Sequence, residues 1–145
     1  METKRILLAD DDPQDIELSL LALEEYQLNN KVDITTDGAE TLDYLYQRGE
    51  YADRPGGNPI IIFLDLNMPK VSGLEVLEKV KSDPNLKMIP IVVMTSSRED
   101  QDIIRSYAHG VNAYVVKPIA FTKFIDVVKQ LGLFWVLTNE PPVYS

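Results

Sequence analysis

The sequence predicts an α/β protein built on one parallel sheet of five strands, with helices packed on both faces. Three observations carry this expectation. Short apolar runs recur along the chain, at Ile6-Leu7-Leu8-Ala9, Ile61-Ile62-Phe63-Leu64, Ile91-Val92-Val93-Met94 and Tyr114-Val115-Val116. The stretches between them show helical periodicity and capping signals, so strands and helices alternate. Runs this apolar suit strands buried on both faces, as parallel sheets require, whereas Lys31-Val32-Asp33-Ile34-Thr35 alternates as an edge strand would.

Taken in order, Ile6-Leu7-Leu8 reads as the central strand. Asp12 before Pro13 places a cap and a first-turn proline at the start of helix one, expected from Pro13 to about Leu28 with Ile16, Leu20 and Leu23 on one face. The edge strand follows, and helix two begins at the capping box Asp37-x-x-Glu40. Helix three starts at Ser72-x-x-Glu75 with Leu74, Leu77 and Val80 inward. Ser97, with Asp100 three residues on, opens helix four, which runs to His109 and is closed by Gly110. His109 is there a favourable partner for the helix dipole and is assigned no function. Phe121, Phe124, Val128, Leu131 and Trp135 recur at helical spacing, so helix five continues toward Trp135 despite Gly132.

At 145 residues and 45% hydrophobic content the chain can bury one core and has no room for a second. No stretch approaches the roughly 18 apolar residues of a membrane span, and Met1-Glu2-Thr3-Lys4-Arg5 does not introduce a signal peptide, so a cytoplasmic protein is expected. The absence of cysteine excludes disulfide, thiol and zinc-thiolate chemistry, and one histidine cannot build a histidine metal site. A formal net charge of −9 argues against nucleic-acid binding, which needs a basic face.

The apolar runs end in polar residues: Asp10-Asp11-Asp12, Asp65, Thr95 and Lys117. In a parallel sheet these ends share one edge, where open α/β sheets place their chemistry. Carboxylates gathered there repel one another unless a divalent cation neutralises them, and all-oxygen ligands suit Mg²⁺ or Mn²⁺. An outward-pointing Asp65 can act as a nucleophile and form an acyl phosphate. The metal, the Lys117 ammonium and the Thr95 hydroxyl would each take a phosphoryl oxygen. Asp12 is left mostly to capping. A metal-dependent hydrolase with an aspartyl nucleophile would want a second Asp two residues on, where Asn67 stands.

The residues Ile6 to Asp12, Ile61-Ile62-Phe63-Leu64-Asp65-Leu66-Asn67-Met68-Pro69, Val71-Ser72-Gly73-Leu74-Glu75, Ile91 to Ser96 and Ala113-Tyr114-Val115-Val116-Lys117-Pro118 resemble the response-regulator receiver domains of two-component signalling. The resemblance spans roughly residues 4 to 131. It implies a flavodoxin-like (βα)5 fold with strand order 2-1-3-4-5. It also implies a receiver domain over residues 1–131, leaving a C-terminal extension over 132–145. Asp65 matches the residue phosphorylated by a sensor histidine kinase. Asp10 and Asp11 match the acidic pair that holds Mg²⁺, with Asp65 and the backbone carbonyl of Asn67 as further ligands. Thr95 and Tyr114 match a switch pair, Lys117-Pro118 a cis bond, and Asn67 and Ser97 positions that tune dephosphorylation. Such a protein turns over no outside substrate; it catalyses only its own phosphorylation and dephosphorylation. A phosphate-independent binding module and a phosphorelay intermediate are the alternative readings.

Two segments exceed a minimal receiver: the loop from Arg48 to Pro59 and the tail Leu133-Phe134-Trp135-Val136 through Pro141-Pro142. Together they resemble the single-domain regulators that partner bacterial and cyanobacterial phytochromes, which implies a phytochrome-type kinase as partner. An apolar face extended to Phe134, Trp135 and Val136 needs cover. A homodimer through helices four and five and the tail is the expected solution, since twofold contacts are the commonest. Sedimentation at micromolar concentration checks this: a dimer is expected.

Overall fold

The computed structural model describes residues 5–25, 27–28, 31–95, 113–117, 125–126 and 129. Its strands are β1 (Ile6–Ala9), β2 (Val32–Thr35), β3 (Ile61–Asp65), β4 (Ile91–Thr95) and β5 (Ala113–Val116). They form one parallel sheet in the order β2-β1-β3-β4-β5. Helices α1 (Pro13–Glu24), α2 (Gly38–Tyr46) and α3 (Gly73–Ser82) are described in full. The expected helix four, with Ser97 and His109, lies outside the described residues. So do Pro118, Phe121, Phe124, Val128, Leu131 and the extension with Phe134, Trp135 and Val136. No described helix is long and apolar enough to cross a membrane.

Side chains of a strand alternate between the two faces of a sheet, and the core divides accordingly. Ile6, Leu8, Phe63, Val92 and Met94 pack with Ala22 and Leu23 of α1, while Leu7, Ile62, Leu64 and Val93 pack with Leu42 and Leu45 of α2 and with Val76, Leu77 and Val80 of α3. The central strands β1, β3 and β4 are buried throughout, and β2 at the edge is only half-buried. This is the doubly wound arrangement that the continuous apolar runs require.

The first three helices form with local differences from the sequence pattern. Asp12, Asp37 and Ser72 cap α1, α2 and α3, accepting from the backbone N–H of Gln14, Glu40 and Glu75. The Glu40 carboxylate reaches back to the N–H of Thr36 at 2.7 Å, one residue before the cap. Helix α1 stops at Glu24 and does not reach Leu28. Gln27 takes a left-handed φ of 60°, and the N–H of Leu28 bonds the carbonyl of Leu23. Leu28 is buried because the chain folds back over the helix end, so its apolar signal comes from the helix stop rather than from another turn. On α1 the fully buried stripe is Asp15, Ser19, Ala22 and Leu23, with Ile16 and Leu20 half-buried; on α3, Leu77 and Val80 are buried as expected, Val76 joins them, and Leu74 packs against the core half-buried.

The long loop after α2 is organised by a 3₁₀ turn, Gly49–Tyr51, and by Arg54. The Arg54 guanidinium lies 3.9 Å from the centroid of the Tyr44 ring and donates to the carbonyls of Tyr44 and Gly57. At the other end of α2, Gly38 meets the loop that follows β3: a Cβ there would fall 1.7 Å from the carbonyl oxygen of Val71. Because the obstacle is backbone, Gly38→Ala is expected to destabilise by about 2–3 kcal/mol, at the upper end of overpacking costs. Gly57→Ala, with nothing within 4 Å of the added carbon, should stay within about 0.5 kcal/mol. Urea unfolding of the two variants measures the contrast.

Candidate functional site

The register of the sheet decides which side chains meet. Ala9 stands opposite Leu64, so one residue further Asp10 is level with Asp65. Thr95 stands opposite Val116, so Lys117 follows at the same edge. All four emerge at carboxyl ends of parallel strands. The β1/β3 boundary is also where the winding of the chain reverses, the usual ligand crevice of such sheets.

Asp10 and Thr95 are wholly buried and Asp65 is nearly so. Asp10, Asp11 and Asp65 each offer a carboxylate oxygen within 4.8 Å of the others. Two of the three are held in the same way, by a backbone N–H two residues on. Asp12 N–H donates to Asp10 Oδ1 and Asn67 N–H to Asp65 Oδ1, both at 3.0 Å. Lys117 Nζ donates to Asp65 Oδ2 at 3.1 Å, and its backbone N–H donates to the Thr95 carbonyl at 3.0 Å. A cleft of about 520 Å³ opens onto the group, lined by Asp11, Asp12, Pro13, Asp15, Asp65, Asn67 and Lys117.

Gly73, at the start of α3, lets that helix approach the site closely. A Cβ there would fall 2.1 Å from the carbonyl oxygen of Asp65. Lys70 in the same loop takes a left-handed φ of 66°, and its ammonium pairs with Asp37 of the α2 cap at 3.3 Å. Local backbone strain and close packing thus fix the segment that carries Asn67.

The electrostatics are those of an overcrowded acid cluster. Burial pushes the Asp10 carboxyl up from 3.8 to about 7; the Asp12 N–H and the Lys117 charge oppose this, and the Asp65 charge adds to it. Asp11 is raised by burial and by the same Asp65 charge. Burial alone would lower Lys117, but its hydrogen bond to Asp15 and the charges of Asp65 and Asp10 raise it well above its ordinary value. Asp10 Oδ2 lies 3.3 Å from Lys117 Nζ, yet it receives no well-directed hydrogen bond. A buried, orphaned carboxylate oxygen beside two further carboxylates is a donor set suited to a hard divalent cation.

Of the residues expected at the site, the structure brings together Asp10, Asp11, Asp65, Thr95, Asn67 and Lys117. Tyr114 lies within β5, but its side chain, like Ser97, lies outside the described residues. The sequence reading missed Asp15, whose Oδ2 is 2.7 Å from Lys117 Nζ. An acid in a first helical turn usually complements the dipole. The signal was its spacing, since Asp15 heads the stripe Asp15, Ser19, Ala22, where an unpaired carboxylate does not belong.

A second, larger cleft of about 740 Å³ lies at the β2 edge among Arg5, Asp33, Tyr44, Tyr51 and Arg54. Arg5 pairs with Asp33 at 2.6 Å and Arg54 stacks on the Tyr44 ring, so these contacts anchor the long loop at this edge.

The doubly wound sheet thus carries an acid cluster at its switch point, with a buried hydroxyl and a largely buried lysine along the same edge. Residues 6–129 match the response regulator receiver domain, and the chain belongs to that family. It is 38% identical to the response regulator Rcp1 of Synechocystis sp. over 96% of this chain and 93% of that protein. It is 54% identical to the bacteriophytochrome response regulator AtBRR, with a TM-score of 0.84 over 97% of this chain and all of that one. The phosphorylated cyanobacterial phytochrome response regulator RcpA is 40% identical, with a TM-score of 0.75 over 97% and 99% of the two chains. Rcp1 has also been solved in an Mn²⁺-bound form, 37% identical at a TM-score of 0.75 over 97% and 99%.

The raised Asp10 carboxyl has a definite sign in stability. The folded state keeps a proton that the unfolded chain releases near pH 4, so this contribution is complete below that pH and is lost as pH rises through about 7. Urea unfolding of metal-free protein is expected to show stability falling between pH 5 and 8, with Asp10→Asn flattening the decline.

Proposed function

We propose that this chain is a response regulator that accepts a phosphoryl group on Asp65 from a histidine kinase of phytochrome type. The observation that carries the proposal is the meeting of Lys117 Nζ with Asp65 Oδ2 at 3.1 Å beside the Asp10 and Asp11 carboxylates. Residues far apart in sequence supply this group, and family membership together with likeness to RcpA, AtBRR and Rcp1 supports the reading.

An oxygen of Asp65 attacks the phosphorus of a phosphohistidine, the P–N bond breaks, and the departing imidazole nitrogen is left to take a proton. The Asn67 N–H fixes the Asp65 carboxylate before attack. Lys117 moves its ammonium from the Asp65 oxygen to a phosphoryl oxygen as negative charge gathers there. Asp10, Asp11, Asp65 and the carbonyl of Asn67 would hold Mg²⁺, or Mn²⁺ in its place; the cation supplies charge neutralisation at the transferring group. The buried Thr95 hydroxyl turns toward the acyl phosphate, and Tyr114 on the neighbouring strand follows it. The signal leaves as a changed surface, which a homodimer through helices four and five and residues Phe134, Trp135 and Val136 would read. Asn67 and Ser97 tune its lifetime. A cytoplasmic setting, where sensor kinases present their phosphohistidine, fits this role.

Intact mass after incubation with Mg²⁺ and acetyl phosphate tests the proposal. One phosphoryl group is expected on wild type, none on Asp65→Asn, and none on wild type when the metal is chelated first. Lys117→Ala should slow uptake by about a hundredfold, the cost of removing one stabilising donor from a developing anion. Phosphoryl uptake by Asp65→Asn at the wild-type rate would overturn the assignment.

A further inference from the structure

We infer that Asp15 is a positioning residue for Lys117: it keeps the ammonium in the cleft when a divalent cation takes the other carboxylates. The inference rests on the phosphoacceptor reading of the site. Lys117 Nζ stands 2.7 Å from Asp15 Oδ2, closer than the 3.1 Å to Asp65 or the 3.3 Å to Asp10. Both side chains are largely withdrawn from water, at 13% and 12% exposure, so the contact is not a loosely screened surface pair.

The two cations of the site would otherwise want the same seats. Asp10, Asp11 and Asp65 hold the oxygens that cluster within 4.8 Å, and Asp15 is not among them. A metal bound there neutralises Asp10 and Asp65 and repels the ammonium, as like charges at this separation do. Lys117 then stays only if an anion outside the metal group holds it. Asp15 meets that need because it comes from α1 and not from the group of carboxylates that would hold the metal. An ammonium has three donors, so Lys117 can keep Asp15 while its remaining hydrogens turn from Asp65 to an incoming phosphoryl oxygen.

The test is a double-mutant cycle on metal affinity, with Mn²⁺ as probe and titration calorimetry as readout, on wild type, Asp15→Asn, Lys117→Ala and the double variant. Asp15→Ala is carried in parallel, and thermal unfolding in chelator identifies the folded proteins. Asp15→Asn is expected to weaken Mn²⁺ binding about tenfold when Lys117 is present and less than about threefold when it is absent, because without the ammonium there is nothing to house. A merely structural or long-range charge role predicts the same loss in both backgrounds. That result, or no loss in either, would overturn the inference while leaving the phosphoacceptor reading intact. Failure of wild type to bind Mn²⁺ would overturn both.

Discussion

The crowding of carboxylates at one sheet edge is the constraint on which the rest of this structure depends. At an effective dielectric of about 20, two like charges about 4 Å apart repel by about 4 kcal/mol, a large share of the 5–15 kcal/mol that stabilises an ordinary domain. Asp10, Asp15 and Asp65 all face Lys117, and Asp11 stands within reach of Asp10 and Asp65. One ammonium cannot balance four such groups. Burial pushes Asp10 up and the Asp65 charge adds to it, one of its oxygens is orphaned, and the cluster is a donor set suited to a hard cation.

Holding such a cluster requires a rigid frame. Strands β1, β3 and β4 supply it, with both faces covered and Phe63, Leu7, Leu8 and Ile62 wholly buried. The loop after β3 lies outside the strand ladder. It is fixed from two sides by close backbone contacts that only glycine permits, Gly38 against Val71 and Gly73 against Asp65. The Lys70–Asp37 pair joins the same two elements at the surface, where its own contribution is small. The Asn67 N–H that orients Asp65 therefore inherits its position from α2 and α3 as much as from its own strand.

The β2 edge carries a separate solution to a separate problem. An exposed edge strand invites pairing with other chains. Here the charged Asp33 faces Arg5 and Tyr44, and Arg54 stacks on the Tyr44 ring, drawing the long loop over that side. Burial and the Asp33 carboxylate raise the Tyr44 hydroxyl well above its ordinary value, so it remains a hydrogen-bond donor at every physiological pH. The polar composition and Gly and Pro punctuation of residues 48–59 marked a loop; nothing local to them marked Arg54 as its anchor, because its partner ring belongs to the preceding helix.

Local chemistry is written in short spans of sequence, and the features that depend on it could be read there. Apolar runs give strands buried on both faces, Asp12, Asp37 and Ser72 give caps, and polar residues at the ends of parallel strands give the site edge, including Asp10, Asp11, Asp65, Thr95 and Lys117. Only the tertiary structure decided what depends on groups brought together across tens of residues. It ended α1 at Glu24 by folding Leu28 back over it, buried Val76 more deeply than Leu74, and set glycines against backbone they do not adjoin in sequence. It also turned Asp15, a plausible dipole partner by position alone, inward to Lys117, since which side of a helix faces a sheet is settled by packing and not by the residue itself.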